Sequence, residues 1–272
     1  MLTDIVFDMA LFLDWRSALI GILVFSPLEK VLPLRKKAST FRRARLTDLG
    51  HFVLSGFVIR FGLLLAFVGL VPLVSAVVPS GLQAWVSDLP LLLQMILAAL
   101  IADLGIYVAH RAMHEIPALW HFHAVHHSSE EMDWLAAFRV HPVDQLILKG
   151  MSMIPLFALN FSDSAILTVV SVYVWHALWV HSNVRLPLGP LRFVVVGPEF
   201  HHWHHANERE ACDKNFSAQF PVWDIIFRTL HFPERMPDCF GVNDPVPKKW
   251  IGQIVYPFQR KDLKAASRSD KV

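Results

Sequence analysis

The residues best equipped for chemistry in this sequence are its histidines: 15 occur in 272 residues, and all but His51 and His231 fall between His110 and His205. Three runs stand out, His110-Arg-Ala-Met-His114, His123-Ala-Val-His126-His127 and His201-His-Trp-His204-His205. Each holds an i, i+3 or i, i+4 spacing, which on a helix places side chains on one face with Cβ atoms about 5–6 Å apart. Two or three imidazoles per run can therefore aim at a common point, a chelating geometry. Burying so many basic rings together is costly unless each finds a partner, and a bound cation provides one. A tetrahedral zinc takes about four ligands, so a set of this size suits two ions. His181, at the end of an apolar stretch, is placed as a further ligand, while His141 and His176 either complete the set or orient it. His51 and His231 read as interfacial residues with the imidazole tip in water. His121 and His202 stand beside the runs but off their pattern, and read as supporting or surface groups. Imidazole accommodates Zn, Cu, Fe and Ni alike. Neutral ligands leave the charge of a ferrous pair uncompensated and ready to bind and reduce dioxygen, which favours two iron ions with O2 as co-substrate; zinc is the alternative metal.

Such a set needs elements to position it, and composition says which kind. With 54% hydrophobic and 18% charged residues, the chain is too apolar for an ordinary soluble domain. Its net charge of +2 shows none of the imbalance of a nucleic-acid binder. Crossing a bilayer takes about 20 mostly apolar helical residues, and four stretches approach this: Phe52 to Val78, Leu91 to Ala109, Val143 to Leu159 and Ala165 to Val180. A fifth, Ser17 to Leu34, is interrupted by Glu29 and Lys30 and bent by Pro27 and Pro33. The N-terminal stretch, carrying Asp4 and Asp8 and no basic leader, reads as retained rather than cleaved. Basic residues from Arg35 to Arg45 place that loop in the cytoplasm by the positive-inside rule. Alternating spans then bring all three histidine runs and His181 to the same face. The expected fold is an all-α integral membrane protein of four to five transmembrane helices with a cytoplasmic, histidine-rich metal-binding cap. Its regions are an N-terminal membrane region (1–94), a di-metal catalytic region (95–232) and a basic C-terminal segment (233–272). Cys212 and Cys239 support neither a disulfide framework nor a zinc or redox pair.

The order HxxxH, HxxHH, HxxHH resembles the fatty acid hydroxylase and sterol desaturase superfamily. The likeness includes Asp103, Tyr107-Val-Ala-His110-Arg and Phe122-His123, then Arg139-Val-His141-Pro142, Trp179-Val-His181-Ser-Asn183, Lys214-Asn215-Phe216 and Trp223-Asp224. It covers residues 95–230. The resemblance implies an integral-membrane di-iron enzyme that hydroxylates or desaturates an unactivated C–H bond of a sterol, a fatty-acyl chain or an alkyl-glycerol ether. The family's ligands fall on His110, His114, His123, His126, His127, His201, His204 and His205, with His181 similarly placed. Ser128-Ser-Glu-Glu131, Gly189-Pro-Leu and Asp213-Lys-Asn215 look closest to the alkylglycerol monooxygenase branch, which would imply a pterin reductant; Arg139-Val-His-Pro looks like sterol desaturase-type relatives.

Around this core, Asp103 lies seven residues before His110 and is read as a carboxylate that accepts an imidazole N–H. Glu130, Glu131, Glu199 and Asp224 read as solvated interfacial carboxylates. The segments Met151 to Phe161 and Leu167 to Trp179 either line an apolar slot for a lipid substrate or pack and face lipid. No haem, iron–sulfur or dinucleotide motif is present, so electrons must come from a separate donor. The basic stretch Lys248 to Lys271 suits anionic headgroups or an acidic redox partner. A non-enzymatic metal-binding membrane protein or metal transporter is the competing class; its ligands would lie near the bilayer midplane.

Overall fold

The computed structural model describes residues 15–36, 42 and 44–259. Asp4, Asp8, Lys37, Arg43 and the basic residues after Gln259 lie outside them. Among the described residues the protein is helical, with no strand and only two isolated bridges, Pro33 to Val184 and Ala206 to Phe240. Trp15–Ile20, Gly21–Phe25 and Ser26–Val31 follow one another as a single helix, α1, widened to π spacing in its middle. The other helices are α2 (Arg45–Val77), α3 (Ser80–Ser87), α4 (Leu91–Glu115), α5 (Pro117–His127), α6 (Pro142–Ala158) and α7 (Asp163–His181). Short helices α8 (Pro198–His204), α9 (Val222–Ile226) and α10 (Trp250–Gln259) follow.

Among the described residues three helices are long and apolar enough to cross a membrane: α2, α4 and α7. In α2, residues four apart, Ile59, Leu63, Phe67 and Val71, are buried, while Phe57, Phe61, Leu65 and Leu73 on other faces are exposed. A helix apolar all round, half of it uncovered, is what a lipid environment permits and water does not. The expected span Val143 to Leu159 appears as α6, a helix of 17 residues.

Helix ends fix the direction of each rod. Asp48 near the start of α2 meets Arg139, which lies just before α6. At the other end, Gln83 donates to the carbonyls of Ser75 in α2 and Ala158 in α6, and Gln94 near the start of α4 accepts from Ser162 before α7. Thus α2 and α6 run away from the histidine-bearing end, whereas α4 and α7 return to it. Gly105 permits a close approach of α4 to α6, since a Cβ there would overlap the Met151 carbonyl of α6.

The histidine-bearing end is closed by α5, α8, α9 and α10 and by 3₁₀ turns at Trp134–Phe138 and Gly189–Phe193. Two residues read from sequence as exposed or disruptive are structural here. Glu29 accepts from the backbone N–H groups of Trp134 and Asn183, 2.8 and 3.0 Å away, and so pins α1 to the cap. Arg42, from the basic loop, is buried against Asp133 and Asp48, and Asp48 also receives Arg139 at 2.6 Å. A buried charge is tolerated only when paired in this way. His51 is likewise no interfacial residue: it is fully buried, bonded to Ser55 and, at 2.7 Å, to Gln253 of α10.

Candidate metal centre

The histidine runs meet at the end of the bundle, but not one run to one point. His110 and His114 of α4, His123 and His127 of α5 and His204 of α8 form one group, their ligand atoms all within 4.8 Å of one another. His126, His181, His201 and His205 form a second on the same criterion. Every one of these residues is buried. The division follows helix geometry. At 3.6 residues per turn, positions i and i+4 lie about 40° apart while i+3 and i+4 differ by about 100°. Hence each i, i+4 pair (110/114, 123/127, 201/205) stays together, and the i+3 members His126 and His204 cross to the other group. The groups touch: the rings of His127 and His205 stack with centroids 4.5 Å apart.

Five of the nine tautomers are fixed from outside. His110 Nδ1 donates to the Phe216 carbonyl (2.7 Å), His123 Nδ1 to Asp144 Oδ2 (2.5 Å) and His204 Nδ1 to the Lys214 carbonyl (2.8 Å). In the second group His126 Nδ1 donates to the Arg139 carbonyl (3.0 Å) and His181 Nδ1 to the Ala177 carbonyl (2.7 Å). A neutral imidazole has one N–H, so each Nε2 is left as a bare lone pair. These lone pairs face one another: His110 and His123 Nε2 are 3.0 Å apart, and His126 and His181 Nε2 are 3.2 Å apart. Two acceptors cannot hydrogen-bond to each other, and His204 Nε2 has no partner among the described residues. Burial, followed by repulsion from neighbouring imidazoles, holds His126, His127, His201 and His205 well below the usual histidine pKa, and burial does the same for His204. They are therefore neutral near pH 7, and convergent neutral Nε2 lone pairs are the donor set that a divalent metal takes.

Other residues singled out from the sequence take supporting positions. His141 is not in either group: its Nδ1 accepts from the Val143 N–H as the cap of α6, and its Nε2 meets the Ile254 carbonyl, both at 3.1 Å. His176 bonds the Val196 carbonyl at 2.9 Å, and His202 the Ser182 carbonyl at 3.1 Å. Asp103 receives no imidazole. It accepts three backbone N–H groups, from Ala218, Gln219 and Phe220 at 2.8–3.0 Å, and so anchors the loop whose Phe216 carbonyl orients His110. Asp224, read as solvated, is fully buried and accepts from the Phe216 and Ser217 N–H groups and the Thr229 hydroxyl. Glu130 and Glu131 are exposed as expected. Asp144 and Asp213 are the functional candidates that spacing did not indicate: Asp144 holds His123, and an Asp213 oxygen lies 3.4 Å from His114 Nδ1. Asp144 sits 21 positions from its histidine in a stretch that reads as apolar span.

A cavity of about 60 Å³ opens beside the centre, walled by members of both groups, including His110, His123, His126 and His181, and by Tyr173 and Gln145.

Comparison with known proteins gives this architecture a family. Residues 95–229 match the family model described as fatty acid hydroxylase. These residues are a fatty acid hydroxylase domain. All the clustered histidines fall inside the matched residues. Relatives include the ornithine lipid hydroxylase OlsE of Rhizobium tropici, 33% identical over 181 residues, which cover 66% of this chain and 55% of that protein. Human alkylglycerol monooxygenase is 32% identical over 53% of this chain and 32% of its own length. Methylsterol monooxygenase 1 of Danio rerio is 32% identical over 51% of this chain and 47% of its own. The chain thus spans about half or less of these relatives. No solved structure matches it. Within this fatty acid hydroxylase domain, α4, α5, α7 and α8 supply the imidazoles and α6 supplies Asp144.

Proposed function

We propose that the protein is a membrane-bound, oxygen-dependent lipid hydroxylase whose two histidine groups each hold one iron ion. The observation that carries this reading is the convergence of outward-fixed, bare Nε2 lone pairs in two touching buried groups. His110, His114, His123, His127 and His204 would hold one ion, and His126, His181, His201 and His205 the other. Bound iron supplies the redox chemistry that activates dioxygen, and electrons come from a separate donor. The chain's own part is to fix the imidazoles through Phe216, Asp144, Arg139, Ala177 and Lys214, to seat a C–H bond in the adjoining cavity, and to keep bulk water out. The named activities of the relatives, on an ornithine lipid, alkylglycerol and a methylsterol, support a lipid as the substrate class.

The same reading assigns topology. With α2, α4 and α7 crossing, α6 must also cross to return the chain, and its 17 residues reach about 25 Å at the helical rise. Four crossing helices then leave the centre on the side of the basic loop, the cytoplasmic face by charge. A transporter would bind metal along a midplane pathway; here the groups lie at the bundle's end, which favours the enzyme.

The test uses detergent-purified protein loaded anaerobically with ferrous iron and given a chemical reductant, oxygen and a lipid panel. Oxygen uptake matched by a hydroxylated lipid, and absent from His204→Ala and His201→Ala, is the expected result. Stable metal without reductant-driven oxygen use, or metal uptake into vesicles, would overturn it.

A further inference from the structure

Resting on the lipid-hydroxylase reading, we propose that Gln145 and Ser217 select a lipid bearing a hydrogen-bond donor, an O–H or N–H, beside the carbon to be oxidised. Both residues line the cavity at the histidine groups and both are buried, 5% and 1% exposed. The Gln145 amide has its orientation set: Nε2 donates to Asp144 Oδ1 at 3.3 Å, while the other Asp144 oxygen takes His123 Nδ1. Asp144 can only accept in this arrangement, so Gln145 Oε1 is the free end, and it has no partner among the described residues. Ser217 is fixed through its backbone N–H to Asp224 at 2.8 Å, leaving its buried hydroxyl without one.

A cavity of about 60 Å³ has room for water, which satisfies these two groups when no lipid is present. A lipid that displaces the water must replace its hydrogen bonds or leave buried polar atoms bare. Gln145 Oε1 only accepts, so the incoming group must donate, and Ser217 can take either role. Sites built to hydrogen-bond a substrate O–H or N–H discriminate strongly against analogues lacking it, for this reason.

The rest of the lipid has a direction, along a narrow slot of about 20 Å³ that must widen to admit a hydrocarbon chain. Ile106, Leu148 and Tyr173 belong both to this cavity and to a second slot that continues along α6 and α7 past Met153, Val170 and Val174. That slot is apolar apart from Lys149, Ser152 and the hydroxyl of Tyr173. Val170 precedes His181 by 11 residues of α7, which at the helical rise is about 16 Å. A hydrocarbon chain in the slot puts the polar end of the lipid, with its donor, at the histidines. The carbon presented for oxidation is then one near the headgroup.

Binding tests this independently of turnover. Iron-loaded protein in nanodiscs is titrated without oxygen with a long-chain 1-O-alkylglycerol and its di-O-methyl derivative, and with a secondary fatty amide and its N-methyl derivative. The donor-bearing member of at least one pair should bind about tenfold tighter or more. Gln145→Leu and Ser217→Ala should each reduce that preference by weakening the donor-bearing lipid alone, and Ser217→Thr should keep it, all at wild-type iron content. No preference in the wild type, or the same preference in Gln145→Leu and Ser217→Ala, overturns the proposal. A wild type that shows the preference but hydroxylates nothing would refute the oxygenase reading and leave the selectivity standing.

Discussion

The two histidine groups share α5 and α8, the first adding α4 and the second α7, and they are backed differently. The first gathers five imidazoles and leans on carboxylates, with Asp144 on His123 and Asp213 beside His114. The second has four imidazoles and is backed by the carbonyls of Arg139 and Ala177, while Nδ1 of His201 and of His205 meets no partner among the described residues. A carboxylate on the far nitrogen raises the basicity of an imidazole and fixes its ring. On the proposed two-ion reading, the difference predicts tighter metal binding at the first group than at the second.

Changing the backing should change the ranking. Asp144→Asn keeps the shape but removes the charge behind His123, and is expected to lower metal affinity at the first group by about 10–100-fold while leaving the second unchanged. Competitive chelator titration reads the two affinities, and an equal fall at both would show that the groups do not bind separately.

A second effect concerns acid. Burial depresses the pKa of His126, His127, His201, His204 and His205, and that of His202 to about 3. An unfolded histidine titrates near 6.5, so below that pH the unfolded chain binds protons that the folded one refuses. Stability is therefore full above about pH 6.5 and falls as the pH drops, by up to about 1.4 kcal/mol per unit for each such residue. Metal-free protein should melt at progressively lower temperature from about pH 7 to about pH 5, and bound metal should blunt the fall near neutrality. A flat profile for the metal-free protein would mean that these histidines are not held neutral.

The smallest expected effect marks the boundary of both groups. His141→Ala removes a helix cap and one further hydrogen bond, a cost of about 1–2 kcal/mol in denaturant melts, with metal content intact. Loss of metal in this variant would make His141 part of the centre.

The contrast between the groups also shows what the sequence could and could not convey. Spacing marked every clustered histidine but His181, because i, i+4 repeats on a helix are local; His181 was placed by its position at the end of an apolar stretch. It could not assign His126 or His204, whose neighbours His127 and His205 turn to the opposite group, since that depends on how α5 and α8 face each other. Hydropathy marked the long apolar helices, whose lipid-facing residues need no partner. It missed the polar residues that only tertiary contacts explain. Asp144 lies in what reads as a span, Asp224 and His51 in what reads as surface, and Glu29 in what reads as an interruption, yet each accepts or shares hydrogen bonds deep in the cap. Asp103 was legible as a functional carboxylate but not its target, a backbone loop more than a hundred residues away.

The central claim, two metal ions in two separable groups, is tested most directly by metal analysis of iron-loaded wild type, His204→Ala and His201→Ala. The account predicts about two ions per chain in the wild type and about one in each variant, His204→Ala emptying the first group and His201→Ala the second. One ion or none in the wild type, or unchanged content in either variant, would contradict it.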